Sequence, residues 1–408
     1  MSRPLHRPGW LHTVVDVASR ALLGVLGATV CVLPVSAAER AEYLIGYNEH
    51  RTNLPGGRHA NVSTNRAMTV RGDGSERRAV AAHLVNEPHT WTQFVGWSPD
   101  GRSAIVGRAW ADPENAAWEE AHQTFRFGPG RWLYDSHIVD LATGAAENVT
   151  AVERVSEYNT GLFFWPKDPQ ALGFTALING VSKPFRMRRD GTGKTDLTAG
   201  SNGFAYGFSS SPDGRRIAYH ENYQVYLANA DGSDRQHVQT GHPFVFAPTW
   251  SPDGQWLLFV SGEHYNCHPH VVRADGTGLR QLASRQGYRG VTLFLDVPDY
   301  HQGSSDIPCW SADGQHVFYT AQHAEQIELF RVSLAGEREQ LTNTPPGTEH
   351  YHPRPSPDGE WLLFGSKREG VRNLYLLRLA DRREFPLTQL PLGFAAMHAH
   401  WQPRSTHP

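Results

Sequence analysis

One phrase recurs along this 408-residue chain: an aromatic or small residue, then Ser-Pro-Asp-Gly, then a short alternating apolar stretch. It reads Trp97-Ser98-Pro99-Asp100-Gly101, Ser210-Ser211-Pro212-Asp213-Gly214, Trp250-Ser251-Pro252-Asp253-Gly254, Trp310-Ser311-Ala312-Asp313-Gly314 and Pro355-Ser356-Pro357-Asp358-Gly359. A worn copy stands at Trp165-Pro166-Lys167-Asp168 and a truncated one at Trp401-Gln402-Pro403. In such a phrase proline presets φ for a turn, aspartate caps its own backbone and glycine accepts a positive φ. The stretch after each turn, such as Trp256-Leu257-Leu258-Phe259-Val260, alternates as a strand does. A third strand, as at 373–379, a second turn, as at Ala274-Asp275-Gly276, and a fourth strand, as at Arg280-Gln281-Leu282, complete the unit. Four strands in roughly 40 to 50 residues make one blade of a β-propeller.

The ends complement each other. The last copy supplies a first strand with nothing after it, and Tyr43–Tyr47, Ala67–Val70 and Arg78–Val80 supply the second, third and fourth. One blade is therefore expected to be shared between the termini, which removes both sheet edges. The expectation is an all-β, seven-bladed β-propeller over 38–404, with six blades as the alternative if the Trp165 copy is an insertion. Two spacings are long. They hold 111–130, whose Asn115–His122 stretch has a helical pattern, and 285–306. Insertions on a rigid repeat are where function tends to sit.

The first 37 residues have the make-up of a signal peptide. Arg3, Arg7 and Arg20 give positive charge, 21–35 is apolar, and Val35-Ser36-Ala37 offers small residues at the cleavage point. The apolar run is short for a membrane span, so a periplasmic or secreted protein with no span after cleavage is expected. A net charge of -3 argues against nucleic acid or an anionic membrane surface as partner. Cys267 and Cys309 remain after cleavage, and an oxidising compartment would permit a disulfide between them. The 22 histidines, against 4 methionines, raise the prior for a metal or proton-transfer site.

The repeat resembles that of TolB-type (PD40, WD40-like) propellers, over nearly the whole mature chain. A narrower resemblance is to the oligogalacturonate lyases. It is carried by Gly241-His242-Pro243 with Ser261-Gly262-Glu263-His264, and by Thr348-Glu349-His350-Tyr351-His352-Pro353. That resemblance implies a seven-bladed fold, a manganese site on His350 and His352 with His301 nearby, and His242 as catalytic base, with His264 as second choice. Three positions depart from it. Gly347 stands where those lyases have a glutamine ligand, Ile307 where they have a histidine, and Gln224 where they have an arginine.

Other residues are selected without the family. First-strand residues just before the turn face the channel of a propeller, which puts His242, Asp306, His350, His352, His398 and His400 there. Alternate residues of a strand share a face, so His350 and His352 are expected to reach one divalent ion together. The hairpin Glu263–His270 contributes Glu263, His268 and His270 as substrate contacts. The preceding blade's hairpin gives His220 and Tyr223. Arg58, His59 and Arg66 lie in the long hairpin of the shared blade, where an arginine could clamp a carboxylate with two hydrogen bonds. The reading is a metal-assisted lyase cleaving uronate-containing oligosaccharides by β-elimination. Its alternative is a non-catalytic TolB-like propeller holding a protein or peptide partner.

Overall fold

The computed structural model describes residues 36–126, 128, 130–150, 158–178, 181–198, 200–263 and 266–404. The expected signal segment lies outside the described residues except for Ser36 and Ala37, and His264 lies outside them too.

The chain is all-β and repeats one four-stranded antiparallel unit. Thr90–Trp97, Ser103–Ala111, Trp132–Asp140 and Ala146–Asn148 pair in that order. The worn Trp165 copy heads a full unit of its own, Tyr158–Phe164, Ala171–Ile178, Val181–Arg188 and Thr195–Asp196. Units opened by Ala205–Ser210, Phe244–Trp250, Cys309–Trp310 and Glu349–Pro355 repeat the order. The two ends of the chain meet as expected. Phe394–Trp401 pairs antiparallel with Leu44–Arg51, which continues to Arg66–Arg71 and Arg78–Ala79.

The recurring phrase earns its place through one hydroxyl. In five units the serine Oγ donates to the aspartate two residues on at 2.5–2.6 Å. The same oxygen accepts the backbone N–H five residues on at 2.9–3.0 Å. Gly101, at φ +69, could not carry a side chain, because a Cβ there would lie 2.8 Å from the Pro403 carbonyl oxygen.

Many apolar residues pack between units as well as within them. Leu258, Val271 and Leu282 meet Trp310, Val317 and Tyr319 of the next unit, and Tyr43, Ile45 and Tyr47 meet Trp361, Leu363 and Leu374. Each such side chain contributes about 1.5–3 kcal/mol on burial. Tryptophans add staples between units: Trp97 Nε1 donates to the His400 carbonyl at 3.1 Å, and Trp310 Nε1 to that of Thr249 at 3.2 Å.

The first strands carry a further regularity. Gly161, Gly207, Ala247, His352 and His398 stand at equivalent positions and have φ between 51 and 67. The pairing register shifts there in each case. Such a bulge re-aims the side chain it carries, which bears directly on the histidines below.

Cys267 and Cys309 do not pair: both are free and buried, with Sγ 3.8 Å from the Phe244 carbonyl oxygen and 3.0 Å from that of Pro353 respectively. No described helix is long and apolar enough to cross a membrane.

Candidate functional site

Insertions gather on the face where the first strands begin. The long hairpin of the shared unit contains a helix, Gly57–Val62, which sequence reasoning missed. The expected helical insertion is the helix Pro113–His122, capped by Asp112 with proline in its first turn. The segment 285–306 crosses above, held by a short ladder, Val291–Thr292 to Ser304–Ser305. Glu119 ties these pieces together from a fully buried position. It accepts from Arg126 N at 2.8 Å, Asn115 Nδ2 at 3.0 Å, Trp132 Nε1 at 3.2 Å and Tyr300 Oη at 3.4 Å.

Between these insertions and the strands lies a cleft of about 250 Å³, lined by Trp91, Phe125, Trp132, Tyr134, Phe204 and Tyr206 together with Arg58, Gln93, Thr175, Ser182 and His301. Arg58 pairs with Asp299 at 3.3 Å and packs its guanidinium over Phe125 and Tyr300. Two larger depressions, of about 880 and 670 Å³, sit among the repeat turns around Asp100–Arg102 and Asp168–Gln170, away from the histidines.

The remaining selected residues fall in three groups. In the shared hairpin, His59 stacks on His89 at 5.9 Å, and burial holds its pKa down to about 4. Arg66 spends its guanidinium on the carbonyls of Ser63 and Asn65, 3.2 and 2.7 Å away, and so braces the end of the short helix.

A second group surrounds His242. Its Nδ1 lies 2.8 Å from Ser261 Oγ, which donates in turn to Thr240 Oγ1 at 3.1 Å. When Ser261 donates to Thr240, Nδ1 is the imidazole donor and Nε2 carries the lone pair. His270 stands edge-on to His242 at 5.6 Å, with its own Nδ1 2.9 Å from the His268 carbonyl, and burial lowers its pKa to about 4. His268 Nδ1 accepts from Arg285 N at 3.3 Å, and Glu263 is exposed at the strand end. His220, also held near pKa 4 by burial, contacts the rings of Tyr206, Tyr223 and Phe246 at 5.8, 6.4 and 6.1 Å.

The third group is the expected metal set, and the bulge divides it. His350 is fully buried, 3.4 Å from Glu328, with its ring against Phe364. His352 instead has Nε2 3.3 Å from Ser304 Oγ and 3.2 Å from the Ser305 carbonyl, and stacks on His398 at 4.5 Å. The shared face expected of His350 and His352 is lost, because the register shifts between Tyr351 and Arg354. His301 contacts Phe125 and Phe294. No group of three His, Cys, Asp or Glu able to hold a metal forms among the described residues, so these side chains do not fit a resident ion as they stand. Asp306 is buried and fully engaged by neighbours. It is 2% exposed, accepts from Tyr288 at 3.3 Å and His352 N at 2.8 Å, and receives the Thr320 hydroxyl. His398, by contrast, is solvent-exposed and stacks on His352.

A 67-residue stretch is 33% identical to the Tol-Pal system protein TolB of Thioalkalivibrio sulfidiphilus, covering 16% of this chain and 15% of that protein's own length. An oligogalacturonate lyase solved in complex with manganese superposes at TM-score 0.54 and 12% identity, over 84% of each chain. The oligogalacturonate lyase of Vibrio parahaemolyticus does so at 0.53 and 12%, over 85% of this chain and 86% of that one. The chain is a β-propeller repeat protein resembling TolB and oligogalacturonate lyase. At such identities the likeness to the lyases is one of fold, and this repeat protein matches no family model.

Proposed function

We propose that this propeller is an exported, periplasmic or secreted carbon–oxygen lyase for uronate-containing oligosaccharides, with seven blades closed by the unit the two termini share. The observation that supports this chemistry is the His242–Ser261–Thr240 relay, in which an Nδ1–H donated to Ser261 leaves the Nε2 lone pair free to act as base. In β-elimination a base removes the proton on the carbon next to the uronate carboxyl group. The electron pair forms the new double bond, and the glycosidic oxygen leaves across it. His242 Nε2 is the base in this scheme, and His264, outside the described residues, is the second choice. Neutral His220, His268 and His270 with Tyr223 and Glu263 line the approach. His59 and Arg58 stand at the insertion side, while Arg66 serves the helix.

Arg58 is already paired with Asp299, and His301, His350 and His352 do not converge, so no step is routed through manganese. That dispersal favours the second reading, a TolB-like binding propeller for a protein or peptide. The test is the ultraviolet absorbance of the conjugated, unsaturated uronate product, on a panel of uronate oligosaccharides with manganese and with chelator. A rise that His242→Ala lowers by about a hundredfold or more is the expected result. No rise on any substrate, with or without manganese, leaves the binding propeller.

A further inference from the structure

Among the described residues, three of the six exposed large hydrophobic side chains are aromatic residues of one unit: Phe204, Tyr206 and Tyr223, at 43%, 54% and 41% exposure. Solvent-exposed rings grouped on one face of a soluble protein mark a binding surface. Phe204 and Tyr206 are alternate residues and both line the cleft. The backbone beneath them is braced, with Phe204 N donating to Asn222 Oδ1 at 2.9 Å and Asn222 N to the Phe204 carbonyl at 2.9 Å. That brace comes from a tight hairpin whose central residues, Asn222 and Tyr223, have φ of 50 and 59. A turn of this kind takes Asn-Gly at least cost. A tyrosine in the glycine place is strained, and strain of this sort collects at ligand sites. Here it presents the Tyr223 ring on the same side as His220 and Tyr206.

Among the described residues lining the cleft, the arginine Arg58 is already paired with Asp299 3.3 Å away and is not free to receive a carboxylate. The cleft does offer hydroxyl and amide groups among its rings, from Gln93, Thr175, Ser182, Tyr134 and Tyr206. A space of about 250 Å³ is below the usual range for a whole drug-sized ligand. We infer that Phe204 and Tyr206 form a subsite for a single neutral sugar ring, its C–H face on the aromatic rings and its hydroxyls on the polar wall. The inference rests on the reading of the chain as a saccharide-handling propeller. It adds that the substrate is mixed, with an uncharged pyranose beside the uronate.

Saturation-transfer NMR on the intact mature protein tests it, with neutral methyl pyranosides, methyl galacturonoside and N-acetyl-phenylalanine amide as separate probes. Transfer to a neutral pyranoside, weakened about tenfold or more in Phe204→Ala/Tyr206→Ala at unchanged melting temperature, is expected. No transfer to any neutral pyranoside overturns the inference. So does transfer that survives the double variant, or preference for the uronoside or the aromatic amide. If the double variant melts early, Tyr206→Ser alone, at a position more than half exposed, gives the same reading. Elimination on a pure galacturonate oligomer is measured on the same samples. Its absence there and on every mixed uronate oligosaccharide of the panel would sink the lyase reading while the NMR result stands by itself.

Discussion

His242 shows how much chemistry a neighbour's hydroxyl decides. An imidazole in solution exchanges its proton between two nitrogens, and only one form puts a lone pair where a substrate proton waits. The hydroxyls of Ser261 and Thr240, 19 and 2 residues away in sequence, can hold His242 in that form. Removing the relay without removing the proposed base is therefore informative. Ser261→Ala should leave the fold intact and lower elimination by about tenfold, and the loss should appear in kcat rather than KM. An unchanged rate would mean Ser261 does not orient the base. The cysteines give a residue-scale check that needs no substrate. Burial pushes the Cys267 thiol up to about 11 and that of Cys309 to about 12, so neither is a thiolate at neutral pH. Ellman's reagent should find no reactive thiol in the native mature protein and two after unfolding in denaturant. None after unfolding would indicate a disulfide between them.

At the scale of elements, the segment 285–306 is pinned at both ends and once between. Fully buried Arg285 donates to the Thr320 carbonyl and hydroxyl at 3.0 and 2.8 Å, and to the Asp306 carbonyl. Midway, Asp296 accepts from Arg372 Nη1 at 2.9 Å and Thr52 Oγ1 at 2.7 Å. Arg372 is 1% exposed, so losing Asp296 strands a buried charge. Asp296→Ala should cost about 2 kcal/mol in urea unfolding and open 285–306 to limited proteolysis. Normal stability with a protected segment would show that the ladder Val291–Thr292 to Ser304–Ser305 suffices. These anchors also mark the limit of what sequence could reveal. The repeat was legible because a local turn dictates it: Ser, Asp and Gly act within a few residues of one another, so a pattern search finds them. The helix Gly57–Val62 was missed because it begins at Pro55-Gly56-Gly57, a breaker signal, and has too few residues to show a period. The His350/His352 pair failed for another reason. Alternation on a strand holds only without a bulge, and the bulge is legible only when five first strands are laid side by side. The aromatic cleft was invisible because Trp91, Trp132 and Tyr206 come from three separate strands that only the folded sheets bring together.

The whole molecule carries its histidines in a way that sets its response to acid. His50, His220 and His270 are 7%, 8% and 5% exposed, and burial lowers each pKa to about 4. An unfolded histidine titrates near 6.5. Between those values the unfolded chain binds protons that the folded chain refuses, so stability rises with pH there and falls as acid is added. Each group contributes about 1.4 kcal/mol per pH unit within the window. A carboxylate opens a second window below it. Burial alone would raise the pKa of Glu328, but hydrogen bonds from His350, Thr342 and Thr344 outweigh it and bring the value to about 2. Its contribution is present above the unfolded carboxylate pKa, about 4.3, and is lost as pH falls toward 2. The melting temperature should therefore begin to drop near pH 6.5, well before carboxylates protonate, and drop again below about pH 4.5. His220→Gln removes one titrating group beside exposed rings and should shallow the upper slope while leaving the lower one. A flat profile from pH 7 to 4.5 would mean that these imidazoles accept protons inside the fold. Those imidazoles would then be cations below about pH 6.5, and His242 would have to work among like charges there.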